Sequence, residues 1–289
     1  MRSNFCNYHM HTTFSDGKDV PEAYVKAAIS KGMHCIGFSD HCPLSVESEW
    51  NMKEADFIKY LKKINFMKEY FRGDIQILTG LEIDYIEGIS GVQAFKHTSL
   101  DYCIGAVHFL KNYANGAPFV CDTSIEEFEK GLKQIFNGDI KELVEYYYTQ
   151  IINMIKTSKP DIVAHIDLIK KFNKNNRFFN ENDDWYKEIV FEVVREIFRA
   201  NCILEVNTAG VYRSLTIEYF PSNVILEFCA EQGVSLTLSS DAHHPLVIEK
   251  AFPQALELLN GIGYNEIFIL DNRGWRPAAF TPDLKGIII

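Results

Sequence analysis

Asn7-Tyr8-His9-Met10-His11-Thr12-Thr13-Phe14-Ser15-Asp16-Gly17 lies near the start of the chain. If Phe5 to Thr12 is a strand, its side chains alternate with period two, and His9 and His11 project from the same face. Two neutral imidazoles placed that way suit a divalent metal ion. Asp16 follows on a turn closed by Gly17, from which a carboxylate can reach back toward the same pocket. Pro21 to Gly32 then reads as a helix, with Pro near its start, apolar positions at Tyr24, Val25, Ala28 and Ile29, and Gly as a stop.

The same unit recurs down the chain. Cys35 to His41 reads as a buried strand with polar residues at its end, and Met52 to Phe71 as an amphipathic helix. Ile75 to Asp84 and Tyr102 to Phe109 are further strands, separated by a Gly-punctuated loop. Residues 111–123 read as a loop, and Ile125 to Phe136 and Ile140 to Thr157 as helices. Asp161 to His165 is a short strand, followed by an Asn-rich loop from Lys170 to Asp183. Helix Trp185 to Ala200, strand Cys202 to Asn207, helix Pro221 to Gly233 and strand Val234 to Ser239 come next. A last helix, Leu246 to Gly261, precedes a short strand at Ile267 to Leu270.

Strands alternating with helices imply right-handed βαβ units around a parallel sheet, either closed into a barrel or doubly wound. The polar residues favour the barrel. They fall at the C-terminal ends of nearly every strand, where a barrel gathers a site from many directions, whereas an open sheet concentrates its ligands at one switch point. The strand ends supply His9 and His11, Asp40 and His41, Glu82 and Asp84, His108, His165 and Asp167, Glu205, and then Asp241, His243 and His244. Of nine histidines, only His34 and His97 fall elsewhere, and both read as packing or solvent residues.

Composition narrows the function classes. The 289 residues are 47% hydrophobic and 24% charged, as in a globular protein with a sizeable core. A net charge of −10 argues against a general nucleic-acid or anionic-membrane binder, which needs surplus Lys and Arg. Seven cysteines without a Cys-x-x-Cys spacing read as reduced core residues. The N-terminus, from Met1 to Cys6, lacks the apolar run of a signal peptide, so a cytoplasmic protein is expected.

In their order, His9-x-His11, Ser15-Asp16-Gly17, Asp40-His41, Gly80-Leu81-Glu82, His108, His165 and Asp241-Ala242-His243 resemble the PHP (polymerase and histidinol phosphatase) superfamily of metal-dependent phosphoesterases. Gly105-Ala106-Val107-His108-Phe109, Ala164-His165-Ile166-Asp167 and Leu44-Ser45 look most like its stand-alone histidinol-phosphate phosphatases. The resemblance implies a distorted (β/α)7 TIM-like barrel, a single domain over residues 1–289, with two to three divalent ions (Zn, Fe or Mn) at the C-terminal mouth. By motif, His9, His11, Glu82 and Asp241 would hold the first ion. Glu82 would bridge to a second held by His108 and His165, and Asp16, His41 and His243 would hold a third.

The reaction so implied is hydrolysis of L-histidinol phosphate in histidine biosynthesis, by attack of metal-bound hydroxide on phosphorus. Asp40, His243 or a metal-bound water would protonate the leaving group. Arg213 and Arg177 are the candidate phosphate grips, and Asp84, Asp167 or Glu205 the candidate partners of the substrate amine. Phe178-Phe179 reads as a lid over the substrate or as a staple for the following helix, and Tyr146-Tyr147-Tyr148 as packing. No nucleic-acid or membrane partner is expected, and association with a second copy is open. The competing functions are a PHP phosphodiesterase acting on nucleotides or nucleic-acid ends, and a non-catalytic metal-binding regulatory module.

Overall fold

Residues 3–46 and 48–289 are described by a computed structural model. Met1 and Arg2, part of the N-terminal stretch considered above, lie outside the described residues. Strand β1 (Cys6–Asn7) leads through α1 (Pro21–Lys31) to β2 (Cys35–Phe38), α2 (Glu54–Tyr70), β3 (Gln76–Asp84) and β4 (Tyr102–Ala106). A hairpin, β5 (Phe109–Asn112) and β6 (Pro118–Val120), precedes α3 (Ile125–Ile135) and α4 (Ile140–Ser158). The alternation resumes with β7 (Ile162–Val163), α5 (Asp184–Ala200), β8 (Ile203–Asn207), the short α6 (Ala209–Tyr212), α7 (Asn223–Gln232), β9 (Leu236–Ser239) and α8 (Phe252–Ile262). A second hairpin, β10 (Glu266–Asp271) and β11 (Gly274–Ala279), follows.

Seven parallel strands stand side by side in the order β1-β2-β3-β4-β7-β8-β9. A parallel bridge between Met10 and Ala242 joins the two edges. It is made by His11 N–H donating to the Ala242 carbonyl (2.9 Å) and Ala242 N–H to the His9 carbonyl (3.2 Å). The result is a distorted, nearly closed (β/α)7 barrel, as the strand-end polarity predicts. The seam is made by the two segments richest in ligand-type side chains, His9-Met10-His11 and Asp241-Ala242-His243, so closing the barrel also assembles the site.

Local chemistry places the helices. Pro21 opens α1, and Gly32 ends it in the left-handed region at φ 69°, where glycine carries no Cβ penalty. Ser124 caps α3 by accepting the Glu127 N–H, and Asp139 caps α4 by accepting that of Glu142. Inside the barrel, the Tyr102 hydroxyl donates to the Tyr8 carbonyl (2.5 Å), and its ring lies where a Cβ on Gly37 or Gly80 would stand.

Four element boundaries differ from the sequence reading. The first strand is paired with β2 only over Cys6–Asn7, because the chain beyond it turns to bridge Ala242. Residues 111–123 contain β6 and the end of β5, a hairpin turning at Asn115-Gly116 with Gly116 at φ 85°. The last helix starts at Phe252, after a 3-10 turn at Pro245–Val247, because Ala251 adopts φ 65° and breaks the run. The final short strand is paired, with β11 opposite it. No helix among the described residues is long and apolar enough to cross a membrane.

Candidate metal centre

The strand ends open on a cavity of about 220 Å³. Glu82, near the end of β3, is its centre. Its Oε2 lies 2.9 Å from His41 Nδ1, 3.3 Å from His9 Nε2 and 3.5 Å from His11 Nε2. Its Oε1 lies 3.0 Å from His165 Nε2 and 3.7 Å from His108 Nε2. Asp241 Oδ1 approaches His11 Nε2 (3.3 Å), His243 Nδ1 (3.4 Å) and His9 Nε2 (3.8 Å). Asp241 does so from a left-handed backbone, φ 47°, a conformation tolerated by Asp and associated with functional sites. Asp16 closes the outer side, with Oδ2 3.0 Å from His243 Nε2 and Oδ1 3.6 Å from His11 Nδ1.

Asp16 reaches the cluster on a tightly built turn. Ser15 and Gly17 N–H both donate to the Thr12 carbonyl (3.0 and 2.9 Å). Asp40, fully buried, accepts from Thr12 N–H (2.7 Å), Ser15 N–H (3.2 Å), Ser15 Oγ (2.7 Å) and Thr12 Oγ1 (3.0 Å). Burial pushes the Asp40 carboxyl up to about 6 against these donors. A Cβ on Gly17 would collide with the His11 carbonyl. Gly17→Ala is therefore expected to displace Asp16 and weaken metal binding by roughly ten- to hundredfold. Calorimetric titration of the metal-free variant checks this, and an unchanged affinity would contradict it.

Two carboxylates act behind the imidazoles. Glu205 Oε1 is 2.5 Å from His9 Nδ1, and its Oε2 accepts the His165 N–H at 3.0 Å. Asp84 Oδ1 is 2.5 Å from His108 Nδ1. Each pairing leaves the opposite ring nitrogen, Nε2, directed at Glu82. A carboxylate on the far nitrogen fixes ring orientation and raises ligand basicity, as behind histidines that bind metals. Glu205 and Asp84 are thereby removed from the candidate amine partners. Asp167 is removed too, since it pairs with Lys170 (2.6 Å) and accepts the Ser222 N–H (2.9 Å).

Burial and the neighbouring charges pull the imidazoles of the cluster in opposite directions. Burial disfavours a charged His41, yet the Glu82 carboxylate outweighs it and pushes the imidazole up to about 10. His108 is pushed up to about 9 by Asp84 in the same way, against burial. His11 is drawn down to about 4 by burial and by the neighbouring His243 and His41. Burial would raise Glu82 and Asp241, but the surrounding imidazoles hold both well below the usual carboxylate range. Six imidazoles and three carboxylates suit divalent cations of the Zn, Fe or Mn type. Buried ligand atoms left without a hydrogen bond fit the same purpose: His9 Nε2, both nitrogens of His11, His41 Nδ1, His165 Nδ1 and Asp16 Oδ1.

The donor groups differ in part from the sets implied by motif. His11, Asp16, His41 and His243 form one group, the expected third set with His11 added. His9, His11 and Asp241 form another, without Glu82. His108 groups with His41 and Glu82, while His165 groups with His9 and Glu205. Glu82 touches five of the six imidazoles because it rises from β3 into the middle of the ring.

Around the cluster, Arg213 follows α6 and lines the cavity, its Nη2 2.7 Å from His243 Nδ1 and 3.5 Å from the Asp241 carbonyl. Arg177 does not line it. Its guanidinium is exposed on the outer surface and pairs with Glu129 of α3 at 2.6 Å, which corrects its assignment as a phosphate grip. Asp40 is likewise outside the cavity, both oxygens taken by Thr12 and Ser15, so it is not placed to protonate a leaving group. Phe178 and Phe179 pack on Phe128 of α3 and Tyr186 of α5, away from a lid position. Trp50, Asp122 and Lys171 also line the cavity, and Lys171 Nζ pairs with Asp122 at 3.1 Å. They come from loops far apart in sequence and carry no local motif.

Comparison with known proteins agrees with this geometry. The chain is similar to a probable histidinol-phosphatase of Deinococcus radiodurans, 27% identical over 90% of this chain and 95% of that protein. It is similar to the histidinol-phosphatase of Bacillus subtilis, 28% identical over 86% of this chain and 97% of that one. Its fold matches a histidinol phosphate phosphatase of Lactococcus lactis, solved with Zn, L-histidinol and phosphate. There the TM-score is 0.67 at 19% identity, covering 99% of both chains. The PHP domain model matches residues 7–209, a span that holds every ligand and support described above except Asp241 and His243. By that match, the chain belongs to the PHP domain family.

Proposed function

We propose that this protein is a metal-dependent phosphoric monoester hydrolase that converts L-histidinol phosphate to L-histidinol and inorganic phosphate in histidine biosynthesis. The observation that carries the chemistry is the ring of five imidazoles on Glu82, two of them braced from behind by Glu205 and Asp84. The substrate rests on likeness, over nearly the whole chain, to proteins named for it. Two or three divalent ions held there would supply Lewis acidity, neutralising phosphate charge and activating water.

The chain's own residues prepare that chemistry. Glu205 and Asp84 fix His9 and His108, and Asp40 fixes the turn that carries Asp16. Arg213 is held by an imidazole nitrogen and a backbone carbonyl, both weaker acceptors than a phosphate dianion, and turns to the substrate's oxygens. His243 lines the cavity and would hold an ion there with His11, Asp16 and His41, which leaves water to protonate the leaving alkoxide. Of the four acids lining the cavity, Asp122 alone lies outside the ligand set, and it is paired with Lys171 at 3.1 Å.

Phosphate release from L-histidinol phosphate, measured beside an aryl phosphate and a dinucleotide diester, tests the reading. A strong preference for L-histidinol phosphate is expected, and cleavage of the diester alone would overturn it. Arg213→Ala is expected to lower kcat/KM by roughly ten- to hundredfold, the loss of one charge-assisted hydrogen bond. Arg177→Ala is expected to leave kcat/KM unchanged, since an exposed ion pair contributes little. Steady-state kinetics of the two variants side by side checks both expectations.

A further inference from the structure

Besides the imidazoles, two aromatic rings line the metal mouth, Trp50 and Phe220. Phe220 is 2% exposed, and the Lys170 ammonium lies 5.4 Å from its ring centroid. Trp50, from the loop between β2 and α2, is only partly buried.

The chain around Trp50 is tied to the metal ring. Ser48 Oγ accepts the N–H groups of Trp50 and Asn51, both at 3.2 Å. Asn51 Nδ2 donates to the Cys42 carbonyl (2.9 Å) and to Asp84 Oδ2 (2.8 Å). The other oxygen of Asp84 braces His108, so one carboxylate holds both a candidate ligand and the loop that carries the indole. The indole itself stacks on Phe109, the residue after His108, with centroids 5.3 Å apart and planes at 27°. Phe109 is in register with Val120, which also lines the mouth. An aromatic side chain clamped in this way gives up little rotamer freedom when a ligand arrives, so its contacts are kept as affinity.

Topology sets this apolar wall across from Arg213. Arg213 is held by His243, past the end of β9, whereas Trp50 lies on Phe109, past the end of β4. In the ring of seven strands these two are three places apart, the farthest that seven allow, and Glu82 with its imidazoles stands between. A phosphomonoester held through its phosphate on the Arg213 side extends its alcohol part toward Trp50.

We propose that Trp50 is a specificity residue for the leaving group. Its indole stacks on a planar ring carried by the substrate's alcohol, so the mouth favours phosphomonoesters of ring-bearing alcohols over open-chain ones. This rests on the reading of the mouth as a phosphomonoesterase site. An imidazole is such a ring, and when protonated it adds a cation–π attraction to the stacking.

The test compares kcat/KM for L-histidinol phosphate with that for phosphoethanolamine, which has no ring, in the metal-loaded unaltered protein, Trp50→Leu and Trp50→Phe. Trp50→Leu is expected to lower the ratio of the two roughly tenfold, chiefly through KM for the ring-bearing substrate. Trp50→Phe should keep most of the ratio, since a stacking face remains. An unchanged ratio in Trp50→Leu, or an equal fall for both substrates, would overturn the assignment. A binding measurement stands in should Trp50→Leu not fold. Of the three tryptophans only Trp50 lines the mouth, so L-histidinol should change the indole fluorescence saturably and ethanolamine should not. Trp50→Phe should remove that response, and its persistence there would overturn the assignment. If the unaltered protein does not turn over L-histidinol phosphate, the substrate reading fails. The same ratio taken with an aryl phosphate then decides the role of Trp50, so the two failures are distinguishable.

Discussion

Glu82→Gln is expected to abolish detectable phosphate release while leaving the chain folded. Gln is nearly the same size, so the packing at the end of β3 is kept. What is lost is the one negative charge that five imidazoles face, at 2.9 to 3.7 Å. The variant would hold cations poorly, and the several kcal/mol of charge stabilisation they provide at a phosphoryl centre would go with them. That corresponds to about three orders of magnitude or more in rate. Metal content and kcat measured on the same preparation check this, and full metal content with normal kcat would remove Glu82 from the centre.

The second large effect concerns the metal-free protein. His41 and His108 are pushed up to about 10 and about 9, each against burial, by Glu82 and Asp84 respectively. Their folded values lie above the ordinary imidazole value of 6.5. The stability they contribute is therefore fully present below about pH 6.5 and is lost as pH rises through 9 to 10. Cations must displace these protons, because an imidazole binds metal only when neutral. Loading the stripped protein at pH 7 in weak buffer is accordingly expected to acidify the solution by about one proton from each of the two histidines. Apparent metal affinity should climb by about tenfold per pH unit for each proton displaced, up to pH 9. A pH-stat titration with Mn or Zn reads both, and loading without proton release would contradict the protonated state of the cluster.

Much of this architecture was legible in the sequence, for identifiable reasons. Parallel strands are short and apolar, and each ends where a polar ligand begins, so Phe38-Ser39-Asp40-His41 and Val163-Ala164-His165 mark both a strand and its functional end. What was not legible depends on which way a side chain turns. Glu205 and Asp84 sit at strand ends like true ligands, and only the fold shows that they face the far nitrogens of His9 and His108. Arg177 and Arg213 both follow a strand through a polar loop. The first folds outward onto Glu129, whereas α6 holds the second at the mouth. The β10–β11 hairpin escaped because Arg276-Pro277 interrupts its second strand, as Pro is tolerated only at a sheet edge. Lys171 and Asp122 meet across 49 positions of sequence, a distance no local pattern spans.

The most direct test of the multi-ion centre is stepwise reconstitution of stripped protein with Mn, Zn or Fe, following bound ions per chain and phosphate release from L-histidinol phosphate together. Activity is expected to be absent in the stripped protein and to appear only as the count passes from one ion toward two or three. Full turnover with no ion bound, or turnover that saturates at a single ion, would contradict the account.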